Sequence, residues 1–197
     1  QWLDESNSVT LIILANGTEL CSGCLLNNTN TDFLPYILSA FHCIDIGDPI
    51  IDPPLDIDEG DGILQPYEIV EAQDWIFRFK FKTPDPQCNN SSQTSVPPTC
   101  YITYNGGTIF RAGWNNTDFA LVQMINQPSR SQKLYYSGWS TSYVPPSSGV
   151  CIHHPAGDVM KASVELNTFT TTDWNGGAND HWRVTYDDGT TMGGSSG

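Results

Sequence analysis

Three short segments carry side chains that could do chemistry, and they come in one order. They are Ser39-Ala40-Phe41-His42-Cys43, Thr117-Asp118-Phe119-Ala120-Leu121 and Gly193-Gly194-Ser195-Ser196-Gly197. An imidazole can take and return a proton near neutral pH, a carboxylate can fix its tautomer, and a hydroxyl so activated can attack a carbonyl carbon. These are the parts of nucleophilic acyl transfer, with His42 as base, Asp118 as orienter and Ser196 as nucleophile. Glycines around the serine let the backbone turn sharply, so that the amides of Gly194 and Ser196 can converge on an oxyanion. Each segment also has a plainer reading. A histidine behind small and aromatic residues is commonly a packed core or loop group, an aspartate before Phe-Ala-Leu-Val a strand-edge turn, and a Gly/Ser run a linker. Against the plain reading of Asp118 stands the cost of leading a carboxylate into an apolar strand without a partner.

The elements that must position these groups are β throughout. Runs rich in Val, Ile, Thr, Tyr and Phe at 8–14, 34–39, 67–71, 75–81, 100–104, 119–124, 161–171 and 181–186 alternate with Gly, Pro, Asn and Asp clusters, the pattern of a sandwich or barrel. Trp75 to Phe81 alternates aromatic and basic residues, which predicts one buried and one wet face. No segment holds helical periodicity over three turns. Residues 44–66, with seven acidic groups and four prolines, read as a surface loop. Their stretch 56–62 resembles a calcium loop but lacks the full ligand pattern, so a solvated acidic loop is expected. Residues 83–99 form a second irregular loop, bordered by Cys88 and Cys100 closely enough for a local disulfide. The polar stretch 125–134 divides a first β unit, 1–125, from a second, 126–197.

With 197 residues, 39% of them hydrophobic, the chain can bury a core. Its strongest apolar run, 9–14, is strand length and far from the roughly 20 residues that span a bilayer, so no membrane partner is expected. A formal charge of −14 with eight scattered Lys and Arg argues against a nucleic-acid partner, since nothing would displace phosphate counterions. The acidity keeps a protein soluble and is compatible with basic substrates. Six cysteines and N-x-S/T sequences at Asn16, Asn27, Asn89–Asn90 and Asn115–Asn116 point to an oxidising compartment and secretion. No basic-then-apolar signal opens the sequence, so any targeting segment is expected to have been removed or to lie outside it. Cys21-Ser-Gly-Cys24 lacks the second ligand pair of a zinc ribbon, and neither a metal nor a cofactor is expected.

Further stretches join the first three: Cys21 to Asn28, Tyr36 to Cys43, Asp118 to Val122, Ser137-Gly-Trp139, Ile152-His-His-Pro-Ala-Gly-Asp158, and His181 to Gly189 running into Gly194-Ser-Ser-Gly197. In that order they resemble the trypsin/chymotrypsin superfamily of serine proteases, and within it the secreted bacterial lysyl-endopeptidase-like branch. The resemblance implies two six-stranded β-barrels with His42 and Asp118 on the first and Ser196 on the second. It implies endopeptidase action on protein or peptide substrates through an acyl-enzyme, without cofactor. Ser196, not Ser195, matches the nucleophile, as the third residue of Gly-x-Ser-Gly. Trp174 matches a residue lining the active site, and His153-His154 matches a pair read as structural rather than metal-binding. Cys21 and Cys43 match a disulfide that pins the histidine loop; it would close about 22 residues, worth roughly 3 kcal/mol. The nearest branch suggests a preference for lysine before the cleaved bond. Cys24 and Cys151 have no usual counterpart and could pair with each other. In the family, further strands follow the nucleophile loop, so the second barrel is expected to be incomplete at its C-terminus, with the missing segment on a longer product or a second chain. Two other readings stay open: a catalytically inactive binding protein on the same fold, and an unrelated secreted β-sandwich with a linker tail.

Overall fold

Alternating burial builds the main sheet. The computed structural model describes residues 2–15, 17, 20–47, 60–83, 96–173 and 179–197. Seven strands share one antiparallel sheet: β1 (Val9–Ile13), β2 (Leu20–Leu26), β3 (Tyr36–Ala40), β4 (Ile76–Phe79), β5 (Ile102–Tyr104), β6 (Thr108–Trp114) and β7 (Phe119–Met124). Their order is β5-β4-β1-β2-β3-β7-β6. The two end strands, β5 and β6, are joined by only Asn105-Gly106-Gly107, so the ends of the sheet lie side by side and it rolls into a barrel. The resemblance implies six strands; this sheet has seven among the described residues.

In β7 every second residue, Ala120, Val122 and Met124, is buried, and in β4 Phe77 and Phe79 are. They meet Ile12, Leu25, Ile37, Ile44 and Trp75 in one core, each large side chain contributing about 1.5–3 kcal/mol by leaving water. The outward Arg78 is not simply wet: its guanidinium lies 4.6 Å from the Tyr101 ring centroid and 5.2 Å from that of Phe81. Three strands, β2, β6 and β8 (Gly149–His153), fall outside the runs expected from sequence. The first is Leu-Cys-Ser-Gly-Cys-Leu-Leu, which has little intrinsic β preference and is held by pairing on both edges, to β1 and β3.

The segment 67–71, expected as a strand, is a helix, α1 (Pro66–Glu71). Pro66 suits a first helical turn, and Glu68 reaches back to accept the Gln65 N–H at 2.7 Å. The other Glu68 oxygen accepts the Gly47 N–H at 2.9 Å, so this buried carboxylate ties both ends of the 44–66 loop. Asp45 does the same from the other side, its Oδ2 accepting from Gly62 N at 2.9 Å. The loop expected at the surface thus has a buried acidic neck. Residues 48–59, with most of the calcium-loop resemblance, and 84–95, with Cys88, lie outside the described residues.

The rest of the chain forms two hairpin pairs, β8 (Gly149–His153) with β9 (Lys161–Glu165), and β10 (Thr170–Thr172) with β11 (His181–Arg183). The strand expected over 161–171 is therefore broken. Glu165 turns its carboxylate back to accept from Asn167 N at 2.7 Å and from Thr185 N at 2.8 Å, while Leu166 N donates to Asp187. Among the described residues no helix is long and apolar enough to cross a membrane.

Cys21 and Cys43 form a disulfide with Cα atoms 6.5 Å apart. Cys24, Cys100 and Cys151 carry free thiols, which corrects two pairings. Cys24 and Cys151 are not bonded to each other; their thiols face different neighbours, Ser8 Oγ at 3.4 Å and the Tyr186 hydroxyl respectively. Cys100 is likewise unbonded, and its candidate partner Cys88 is not described. Replacing both Cys21 and Cys43 by serine should lower unfolding free energy by about 2–4 kcal/mol. Urea denaturation under non-reducing conditions checks this, and an unchanged midpoint would mean that the bond constrains nothing in the unfolded chain.

Candidate active site

Register brings the imidazole and its carboxylate together. In the antiparallel pair of β3 and β7, Ala40 faces Phe119, so the residues just after β3 and just before β7 are neighbours. Phe41 N donates to Asp118 O at 3.0 Å, and His42 N to Asp118 Oδ1 at 3.1 Å. The second carboxylate oxygen, Oδ2, lies 2.8 Å from His42 Nδ1. Asp118 adopts a left-handed backbone (φ 48°, ψ 36°), which aspartate tolerates better than most residues and which aims its side chain back at the loop. Cys43, next in sequence, is bonded to Cys21 on β2.

The contact sets the tautomer. A carboxylate only accepts, so Nδ1 carries the proton and Nε2 keeps its lone pair, with the ring half exposed. The hydrogen bond to Asp118 raises the His42 pKa above the usual imidazole value; partial burial opposes this, and the charges of Asp118 and Asp45 add to it. Burial pushes the Asp118 carboxyl up, but the bonds from the His42 ring and backbone outweigh it and hold it below the usual carboxylate range.

The Gly193–Gly197 segment docks on β2. Ser22 N donates to Ser196 O at 2.7 Å and Ser22 Oγ to Gly194 O at 2.9 Å, while Ala156 N donates to Gly193 O at 2.6 Å. The approach is close enough to demand glycine. A Cβ on Gly197 (φ +133°) would strike the Ser22 carbonyl, and one on Gly194 (φ +87°) would lie 3.2 Å from His154 O and Gly157 N. With the carbonyls engaged, the amides of Gly194 and Ser196 donate to no acceptor among the described residues. Ser39, three residues before His42, donates to Ser22 O at 2.8 Å, so the docked segment lies beside the histidine loop. No hydrogen bond joins His42 and Ser196 among the described residues. Trp174 lies outside them.

His153 and His154 are both buried but go to different partners. His154 Nδ1 donates to Asp158 O at 2.9 Å, its ring stacks on Phe81 with centroids 5.9 Å apart, and burial lowers its pKa to about 4. His153 bonds Ser195 Oγ and Ser163 Oγ instead. A cluster of metal-ligating types does occur at Cys21, His42 and Cys43, but both sulfurs are taken up in the disulfide and offer no thiolate. Sequence reasoning missed Ser22, because the strand that turns it away from Cys21 is not among the runs the sequence predicts.

The fold is that of trypsin-like serine proteases. The chain superposes on the thermostable serine protease AL20 from an extremophilic microorganism with a TM-score of 0.57 at 12% identity, over 98% of this chain and 77% of that one. Against Deg5 the TM-score is 0.51 at 13% identity, over 99% and 75%. The family model for the lysyl endopeptidase C-terminal domain matches residues 1–197, and the chain belongs to that family of proteases.

Because Asp118 is the first cause of the raised His42 pKa, Asp118→Asn should move the His42 titration to lower pH. Imidazole NMR chemical shifts measured against pH read this directly, and an unmoved titration would remove Asp118 as its partner. The sign for stability follows: a raised folded-state pKa stabilises below the unfolded imidazole value, and that stabilisation fades as pH rises through the folded-state pKa.

Proposed function

We propose that this protein is a secreted serine endopeptidase whose triad is His42, Asp118 and Ser196. The observation that carries the reading is the 2.8 Å contact of Asp118 Oδ2 with His42 Nδ1, which leaves Nε2 unprotonated and free. In the reaction, Nε2 takes the Ser196 hydroxyl proton as Oγ attacks the peptide carbonyl, and Asp118 stabilises the imidazolium. The amides of Gly194 and Ser196 hold the developing oxyanion, each donor being worth about 3–4 kcal/mol in the transition state. The imidazolium then protonates the leaving amine, and water, activated by the same base, hydrolyses the acyl-enzyme.

Lysine before the scissile bond is the preference that the lysyl endopeptidase family suggests, and a formal charge of −14 is compatible with basic substrates. The Cys21–Cys43 disulfide supports an oxidising, extracellular setting. The division at 125/126 separates the seven-stranded sheet from the two hairpin pairs, with one residue set of the triad on each side.

A second reading, a binding protein on the protease fold, is favoured by one observation: His42 and Ser196 share no hydrogen bond. Such bonds are often long in free enzymes and tighten with substrate. Labelling the full-length protein with a fluorophosphonate, followed by peptide mapping, separates the two. An adduct on Ser196 is expected, absent in His42→Ala, with turnover of a lysyl peptide ester falling about a thousandfold or more in Ser196→Ala. A folded full-length protein that takes no adduct would instead be the binding protein.

A further inference from the structure

A second histidine lies against the loop of the proposed nucleophile, and nothing in the mechanism above uses it. His153, at the end of β8, is almost fully buried. Its Nδ1 is 2.7 Å from Ser195 Oγ and its Nε2 3.1 Å from Ser163 Oγ on β9. The directions of these bonds can be worked out. Ser163 Oγ spends its single proton on Thr190 O at 2.8 Å, so it accepts from His153 Nε2–H. Neutral imidazole carries one N–H, which makes Nδ1 the acceptor, and Ser195 Oγ–H donates to it. Burial lowers the His153 pKa, in keeping with a neutral ring. Ser195 Oγ in turn accepts from Met192 N at 3.2 Å.

One relay therefore fastens positions 190, 192 and 195 of the strandless segment leading to Ser196. The carbonyls of 193, 194 and 196 are fastened separately, by Ala156 and Ser22. Ser195 is the only side chain of Gly193–Gly197 in this set, and rotation about its backbone would swing the Ser196 amide that follows it and tilt the Gly194 carbonyl that precedes it.

We infer that His153 is a positioning residue, acting through Ser195 to fix the backbone that presents the Ser196 hydroxyl and the oxyanion amides. This rests on Ser196 being the nucleophile. It makes the Ser-Ser order functional: the first hydroxyl holds the loop and the second reacts. A displacement of about 1 Å at a reacting group can cost about a hundredfold in rate, so an anchor one residue away acts mainly on the chemical step.

Two near-isosteres separate this role from bulk packing. His153→Asn puts an amide oxygen near the Nδ1 position and keeps an acceptor for Ser195. His153→Gln places its amide near Nε2 and keeps the bond to Ser163 while losing that to Ser195. In the full-length protein, Ser195→Ala and His153→Gln should each lower kcat about ten- to a hundredfold, with KM within about threefold and Ser196 phosphonylation slowed equally. His153→Asn should stay within about threefold of wild type, and the double variant His153→Gln/Ser195→Ala should be no worse than either single one. Equal kcat in Ser195→Ala and wild type, or equal losses in Asn and Gln variants, would overturn the inference. Failure of wild type itself to label at Ser196 would instead sink the protease reading. Because Ser195→Ala removes one hydroxyl from a half-exposed side chain, it keeps the test open even if the His153 variants fail to fold.

Discussion

Two adjacent residues of β2 carry the constraint on which the candidate site depends. Side chains alternate across a strand, so Cys21 and Ser22 point opposite ways. Cys21 is bonded to Cys43 and so fixes the loop of His42. Ser22 takes the Gly194 and Ser196 carbonyls on its Oγ and N–H, and accepts His154 N–H at 2.9 Å on the same Oγ. One rigid strand, paired on both edges, thereby references the base and the proposed nucleophile to each other. This is the general advantage of placing reactive side chains on short turns that a sheet holds at both ends.

Electrostatics follow from the same placement. Asp118 and Asp45 both bring negative charge toward His42, and both favour its protonated form. They do so unequally, because Asp118 touches the ring while Asp45 is turned to the loop neck. Burial raises the pKa of Asp45 and of Glu68, although each accepts backbone N–H groups that favour the anion. The neck is thus a place where backbone donors offset desolvation of two carboxylates, and it anchors the acidic loop a few residues beyond the base.

Much of this was legible in the sequence, for reasons that differ by residue. Phe-Ala-Leu-Val-Gln-Met alternates cleanly, so β7 was visible, and with it the head-of-strand position of Asp118. The helix over 66–71 was not, because Tyr-Glu-Ile-Val suits a strand locally; the deciding groups are Pro66 and the buried contacts of Glu68, the second of which runs to Gly47. β2 was invisible because its Cys-Ser-Gly-Cys centre has no propensity of its own, yet it is the strand that organises the site. The Cys21–Cys43 bond came from resemblance, whereas the pairing of Cys24 with Cys151 had only their lack of a family counterpart behind it and that of Cys100 only spacing, and neither says which way a thiol faces.

Hydrogen-bond distance alone would choose Ser195 over the proposed nucleophile, Ser196. Ser195 Oγ lies 2.7 Å from a histidine nitrogen, while Ser196 bonds no histidine among the described residues. Yet general-base catalysis needs a ring that can become cationic, and His153 has no carboxylate against it among the described residues, both nitrogens already engaged, and a pKa lowered by burial. His42 has the opposite of each: a carboxylate on Nδ1, a free Nε2, a ring open to substrate and a raised pKa. The same side chain is thus set up as a strut in one setting and, in the proposed reaction, as a base in the other. What separates the two is the charge placed behind the ring, not the distance to a hydroxyl in front of it.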